Sequence, residues 1–162
     1  MFFVTIDALV CQKEVVSLVI EKKADYIIAV KDNQERLRED ITSSFSVIKP
    51  ASIDEKTEKN SGRIEFRKCS VISNLKMIEK KAEWVGIKSI VQIESKRFIN
   101  QQEQTQTRYY ISSLDISAKE FNALIRGHWG IENSLHWILD VNFDEDKSRK
   151  RKGYASLNFA LT

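Results

Sequence analysis

The first thirty residues alternate between short apolar runs and an amphipathic stretch. Residues 2–6 (FFVTI) and 26–30 (YIIAV) are rich in strand-forming side chains, and a charged residue follows each run directly. Bounded apolar runs of this kind are typical of strands buried on both faces. Residues 11–23 mix apolar and charged positions as a helix does. The pattern therefore predicts a βαβ unit with two parallel strands and a right-handed crossover.

Beyond the second strand the pattern changes from helical to alternating. Asn33 is placed to cap a helix over 34–47, and the polar residues 50–62 predict a loop. A short helix is predicted around 75–83. Apolar and polar positions alternate in three later segments, which predicts antiparallel strands with one solvent-exposed face. These segments are 64–72, 87–99 and 105–113.

Composition bounds the class of protein. The chain has 162 residues, 42% of them hydrophobic, which suits one domain, or most of one, with a packed core. No apolar window is long enough to cross a membrane, and the first residues lack a basic segment typical of secretion signals. Cys11 and Cys69 match no metal-binding spacing, so we expect two free, buried thiols in a reducing, cytoplasmic compartment.

Charge is informative by its distribution rather than by its sum. The net charge is only +3, but residues 147–152 (KSRKRK) contain five bases and follow an acidic cluster. A basic run beside carboxylates could hold a phosphate backbone near a metal site. A solvated helix face or tail explains the same run, and charge alone favours that simpler interpretation.

Candidate chemistry concentrates in residues 126–146. His128, Glu132, His136 and Asp140 follow one another at intervals of four, which places them along one face of an α-helix. Three interpretations compete. A zinc site fits poorly because the two histidines are eight residues apart, not four.

The other two interpretations are a magnesium site with oxygen ligands and a purely structural role. Glu132 could join Asp7 and a further carboxylate in binding Mg²⁺ for phosphoryl transfer on nucleic acid. Asp7 follows the first strand, and the carboxyl ends of parallel strands are where open α/β sheets bind ligands. Alternatively, the histidines and Asp140 only donate and accept structural hydrogen bonds. The residues alone favour this structural alternative.

Several motifs occur in the order that one known family shows. HWGIENSLHWILDVNFDEDKSRKRKG, near the C-terminal end, resembles the signature of bacterial insertion-sequence transposases of the H-repeat-associated type. TIDALVCQKEVVSLVIEKKADYIIAVKDNQ resembles the strand with the second aspartate, its helix and the Lys-x-Asn-Gln turn of that family. GRIEFR and RYYISSL match between them, so the resemblance covers nearly the whole chain.

The resemblance implies a DDE transposase with a ribonuclease-H-like fold. Two aspartates and a glutamate in that family hold two divalent metal ions, Mg²⁺ or Mn²⁺, and the substrate is double-stranded DNA at transposon ends. Asp7 matches the second aspartate and Glu132 matches the glutamate. Such enzymes generally act as synaptic oligomers, so a homo-oligomer is expected.

Further residues are candidates around this site. His128, His136, Asp140 and Asn33 are expected near the ligands without binding metal themselves. Basic residues at several positions could face DNA phosphates, although ordinary surface charge explains each of them singly. The basic candidates are Lys31, Arg63, Arg67, Lys147, Arg149, Lys150, Arg151 and Lys152.

The resemblance also implies a domain division. Residues 1–49 would form a partial ribonuclease-H-like βαβα core that retains two parallel strands. Residues 50–114 would form a β-rich insertion, and 115–162 would hold C-terminal helices with the glutamate, opened by a capping box of Ser117 and Glu120.

The family's first aspartate has no counterpart in this chain. It lies on a strand upstream of the one that ends before Asp7, and no such strand is found in these 162 residues. We therefore expect a truncated copy that does not cut DNA alone. The alternative is a non-catalytic DNA-binding remnant or interaction protein.

Overall fold

A computed structural model describes residues 2–60, 63–99 and 102–128. One compact unit extends to Ile125 and a second begins at Arg126. The described helices are α1 (Lys13–Glu21), α2 (Glu35–Val47) and α3 (118–128). The described strands are β1 (Phe3–Ile6), β2 (Asp25–Val30), β3 (Ser52–Asn60), β4 (Arg63–Ile72), β5 (Ser89–Ile99) and β6 (Gln102–Ser112).

The six strands form one mixed sheet in the order β1-β2-β6-β5-β4-β3. β1 and β2 are parallel, with Val4 opposite Tyr26, which confirms the predicted parallel pair. Every other neighbouring pair is antiparallel. Because β2 pairs with β6, the strands between residues 52 and 112 extend the sheet that β1 and β2 begin. The predicted α/β class is therefore confirmed.

One buried apolar cluster lies between the two N-terminal helices and one face of the sheet. Four directly paired isoleucines cross the sheet as a continuous row, from β2 through β6 and β5 to β4. They are Ile28, Ile111, Ile90 and Ile72, each at most 1% exposed. Side chains from α1 and α2 pack in the same buried cluster. Burial of this apolar surface is the main force that holds the helices on the sheet.

The two parallel strands differ in burial. β2 is buried from Tyr26 to Val30, as its apolar run predicts. All four residues of β1 are partly exposed, although its sequence predicts burial on both faces. The difference follows from position, because β1 lies at one edge of the described sheet, with β2 as its one described strand neighbour.

The prediction of a loop over 50–62 is wrong for residues 52–60. Residues Ser52–Asn60 form β3, which pairs with β4 from Ser52 opposite Val71 to Asn60 opposite Arg63. The sequence SIDEKTEKN has few apolar residues because β3 is an edge strand, and charged side chains at an edge discourage pairing with other chains. Hydrogen bonds to β4 make this segment a strand. The order of apolar and polar residues in the segment does not reveal that pairing.

Two of the three predictions about helix starts and short helices need correction. Gln34 occupies the N-cap position of α2, without a side-chain cap, so Asn33 is not the cap. The predicted helix around 75–83 is only a 3-10 turn, Lys81–Glu83. The capping box is confirmed: Glu120 N donates to Ser117 Oγ at 3.3 Å, and Ser117 N donates to Glu120 Oε2 at 3.0 Å. Among the helices described here, none is long and apolar enough to span a bilayer.

Candidate functional site

Asp7 lies at the edge of the sheet where the two parallel strands end. It follows β1 directly, in an extended conformation, and the chain then enters a 3-10 turn, Ala8–Val10. Val10 N donates to Asp7 O at 3.1 Å, which closes this turn. Lys31 follows β2 in the same way. The parallel pairing therefore brings the residues after both strands to one edge, as expected for a ligand site in an α/β sheet.

The Asp7 carboxylate is only partly accessible. Its side chain is 32% exposed, and Lys31 Nζ lies 3.7 Å from Oδ1. Oδ1 itself is buried and has no hydrogen-bond partner among the described residues. A buried carboxylate oxygen without a hydrogen bond is unfavourable unless something else satisfies it. A divalent cation would do so, because Mg²⁺ prefers carboxylate oxygens.

Two side-chain amides fix the chain around Asp7. Asn33 Nδ2 donates to Ala8 O at 2.6 Å, and Gln34 Nε2 donates to Cys11 O at 2.9 Å. The turn after β2 is thereby tied to the turn after β1. The sequence allowed two roles for Asn33, one near the ligands and one as a helix cap. The hydrogen bond to Ala8 O favours the role near the ligands. Asn33 binds the backbone next to Asp7 and not the Asp7 carboxylate.

The described residues account for one candidate metal ligand. No group of three His, Cys, Asp or Glu residues that could hold an ion is found in residues 2–60, 63–99 and 102–128. Of the two expected ligands, Asp7 lies within these residues, and its buried Oδ1 suits a divalent cation. Glu132 and several other candidates lie outside the described residues. These others are His136, Asp140, Lys147, Arg149, Lys150, Arg151 and Lys152.

Two further candidates are placed only in part. His128 is the last described residue, half-buried at the end of the described part of α3. Arg63 begins β4 opposite Asn60, and its side chain lies outside the described part of the molecule.

Arg67 is part of the protein interior, contrary to its candidacy for DNA contact. It is 8% exposed, and its Nε donates to Asn122 Oδ1 at 2.6 Å. Asn122 Nδ2 donates in turn to Asp54 Oδ2 at 2.8 Å. The Asn122 amide thus joins Arg67 of β4 and Asp54 of β3 to α3, and Arg67 is neither an exposed DNA contact nor an ordinary surface charge. Sequence reasoning missed Asn122 and Asp54, since partners 55 and 68 residues apart leave no local signal.

Both cysteines are free and buried, as the sequence predicts. Burial raises the pKa of the Cys11 thiol and of the Cys69 thiol to about 12. Because the thiolate is the nucleophilic and metal-binding form, neither residue is a reactive group at neutral pH.

Comparison with known proteins agrees with the motifs. The family model described as "Transposase DDE domain" matches residues 2–162. "Putative transposase YncI" of Escherichia coli O157:H7 is 41% identical over 94% of the chain and 41% of its own length. "H repeat-associated putative transposase YhhI" of Escherichia coli K12 is 35% identical over 97% of the chain and 44% of its own length.

The chain thus spans less than half the length of these relatives. No solved structure matches it. Because the family model covers nearly every residue and the relatives are 35–41% identical, the chain belongs to the DDE transposase family, in the group of H-repeat-associated relatives.

Proposed function

We propose that this chain is the part of a DNA transposase that supplies the second aspartate and the glutamate of the metal site, Asp7 and Glu132. Its substrate is double-stranded DNA at the ends of a mobile element. The observation that carries the proposal is the buried Asp7 Oδ1, which has no hydrogen bond within the described residues and lies where two parallel strands end. Membership of the family supports the same assignment.

Each residue of the site has a separate task. Bound divalent ions would supply activation of the attacking oxygen and stabilisation of the leaving oxygen. Asp7 and Glu132 provide oxygen ligands, and the Asn33 and Gln34 amides keep the backbone after Asp7 in place. A rigid ligand matters because small displacements of reacting groups cost large factors in rate.

The basic residues have the second task of holding the DNA. Lys31 is exposed at the same edge as Asp7, and the run 147–152 follows Glu132 closely in sequence. Each phosphate contact releases counterions, so binding should weaken steeply as salt rises.

Metal binding by the chain tests the pairing of the two carboxylates. We expect isothermal titration with Mn²⁺ to show weak binding that is lost in Asp7→Asn and in Glu132→Gln. Asp115→Asn is the matched control, since Asp115 is exposed in the loop before α3. If either of the first two variants binds Mn²⁺ as the unmodified chain does, Asp7 and Glu132 do not share a site.

Cleavage separates the proposal from its alternative. We propose that residues 1–162 alone do not cut DNA, because the family's first aspartate has no match among them. Labelled duplex should therefore stay intact with Mn²⁺ or Mg²⁺. Nicking that requires metal and disappears in Glu132→Gln would overturn the proposed inactivity. Salt-sensitive DNA binding without any Mn²⁺ binding would favour a non-catalytic DNA-binding protein.

A further inference from the structure

The turn after β2 presents a lysine to the Asp7 carboxylate. Lys31 is the first residue of this turn, and Gln34 N donates to Lys31 O at 3.0 Å, which closes it. The Asn33 and Gln34 side chains bind the turn to Ala8 and Cys11. The backbone of Lys31 is therefore fixed relative to Asp7 by hydrogen bonds that do not involve either charged group.

The ion pair itself is loose. Lys31 Nζ lies 3.7 Å from Asp7 Oδ1, which is longer than a hydrogen bond, and the lysine side chain is 62% exposed. Asp7 is the one carboxylate within 4.0 Å of this ammonium group among the described residues. An exposed pair with this geometry contributes little to stability. Stability therefore does not explain why Lys31 lies beside the buried oxygen of Asp7.

A lysine in this position competes with a metal ion. A divalent cation on Asp7 Oδ1 would repel the ammonium group, since both would then lie within a few ångströms of one oxygen. Lysine has a flexible four-carbon stem, so Nζ can move while the fixed backbone stays in place. A phosphate of DNA bound at the same edge would then offer it an anion.

We propose that Lys31 is a phosphate-binding residue that exchanges partners. It neutralises Asp7 while no metal ion is present, and it donates to a nonbridging phosphate oxygen of the DNA once a divalent ion holds the carboxylate. The exchange makes metal binding and DNA binding depend on each other through one side chain. This inference rests on the proposed function, because it requires metal at Asp7 and DNA at the same edge.

Two measurements on the whole chain test the exchange, with Lys31→Gln as the variant. The control is Lys22→Gln. Lys22 is exposed at the end of α1 and precedes the first residue of β2, whereas Asp7 and Lys31 follow the last residues of β1 and β2. In isothermal titration, Lys31→Gln should bind Mn²⁺ about three- to tenfold more tightly, since a competing positive charge is gone. Lys22→Gln should match the unmodified chain.

DNA binding should change in the opposite direction, and more with metal present than without it. In Mn²⁺, we expect Lys31→Gln to bind labelled duplex about three- to tenfold more weakly than Lys22→Gln, with a salt slope smaller by about one. In EDTA the loss should be clearly smaller, because Lys31 is then paired with Asp7 and makes no phosphate contact that the substitution could remove.

The outcomes separate this inference from the proposed function. If the unmodified chain binds Mn²⁺ through Asp7 but Lys31→Gln binds it no more tightly, the exchange is wrong and the metal site stands. An equal loss of DNA affinity in Mn²⁺ and in EDTA also overturns the exchange. If the unmodified chain binds neither Mn²⁺ nor DNA, the proposed function fails, and the inference fails with it.

Discussion

At the scale of single residues, side-chain amides join segments that are distant in sequence at two places in the molecule. Asn33 and Gln34 fasten the backbone after Asp7, and Asn122 joins Arg67 to Asp54 under α3. An amide suits both places because it donates and accepts at once without carrying a charge.

Removing the Asn33 amide should loosen the site. We expect Asn33→Ala to lower the free energy of unfolding by about 1–2 kcal/mol, since Ala8 O loses one of its two donors. The affinity of the Asn33→Ala variant for Mn²⁺ should also fall, because the backbone next to Asp7 is held less firmly. Urea unfolding and Mn²⁺ titration measure the two effects. Asn74→Ala is the control, because Asn74 Oδ1 accepts only one long bond of 3.4 Å, from Lys76 N at the surface. An Asn33 variant with unchanged metal affinity would show that the amide does not position Asp7.

Removing the Asn122 amide should cost more. Asn122→Ala leaves Arg67 Nε and Asp54 Oδ2 without this partner, and Arg67 is 8% exposed. We expect a loss of about 2–4 kcal/mol in the free energy of unfolding, because two hydrogen bonds to charged groups are lost at once. Gln106→Ala, an exposed position on β6, should change it by less than about 0.5 kcal/mol. Similar losses for both variants would contradict a stabilising network.

At the scale of elements, apolar runs in the sequence predicted the bounds of helices and strands well, and polar segments did not. α1 and β2 lie within a residue or two of their predicted bounds, because burial of regular apolar patterns determines them. β3 was missed, since its strand conformation depends on β4 and not on its own side chains. Asn33 was assigned to a cap that it does not form: Gln34 occupies the N-cap position, and Asn33 Nδ2 donates to Ala8 O, 25 residues away.

The start of α3 gives a pH prediction for one element. The hydroxyl and backbone N–H of Ser117 hold the pKa of Glu120 below its usual range. A lowered pKa in the folded state adds stability above the ordinary glutamate pKa, and this stability is lost as pH falls through the folded value.

Substitution of the serine isolates this effect. Ser117→Ala should lower the urea midpoint at pH 7, and the difference from the unmodified chain should shrink as the pH falls below about 4. Lys119→Ala, at an exposed position beside it, should show no such pH dependence. A difference that stays constant with pH would exclude the Glu120 carboxylate as its source.

At the scale of the whole molecule, one sheet connects Asp7 to the strands that the family resemblance assigns to an insertion. Continuous pairing from β1 to β3 predicts that residues 2–125 unfold cooperatively. Cys11 and Cys69 report on separate parts of this unit, and burial raises the pKa of both thiols to about 12. A raised pKa in the folded state means that stability falls as pH rises above the ordinary thiol value.

Thiol reactivity therefore tests cooperativity. Using Cys11→Ala and Cys69→Ala so that one thiol remains each time, we expect little reaction with a disulfide reagent at pH 8 in the folded protein. Each thiol should become reactive over the same urea range in which the helical circular dichroism signal of its variant is lost. Reaction of Cys69 well before that loss would show that the β3–β4 part unfolds separately.

The sequence by itself determined the family, the α/β class, the parallel pair that places Asp7 at its edge, and the burial of both cysteines. These features depend on local apolar periodicity and on motifs whose residues are close together in the chain. Only the tertiary structure decided that β3 is a strand, that Arg67 is an interior residue and that Lys31 faces Asp7. Each of these depends on a partner that is distant in sequence, and no local pattern records a contact that exists only after the chain has folded.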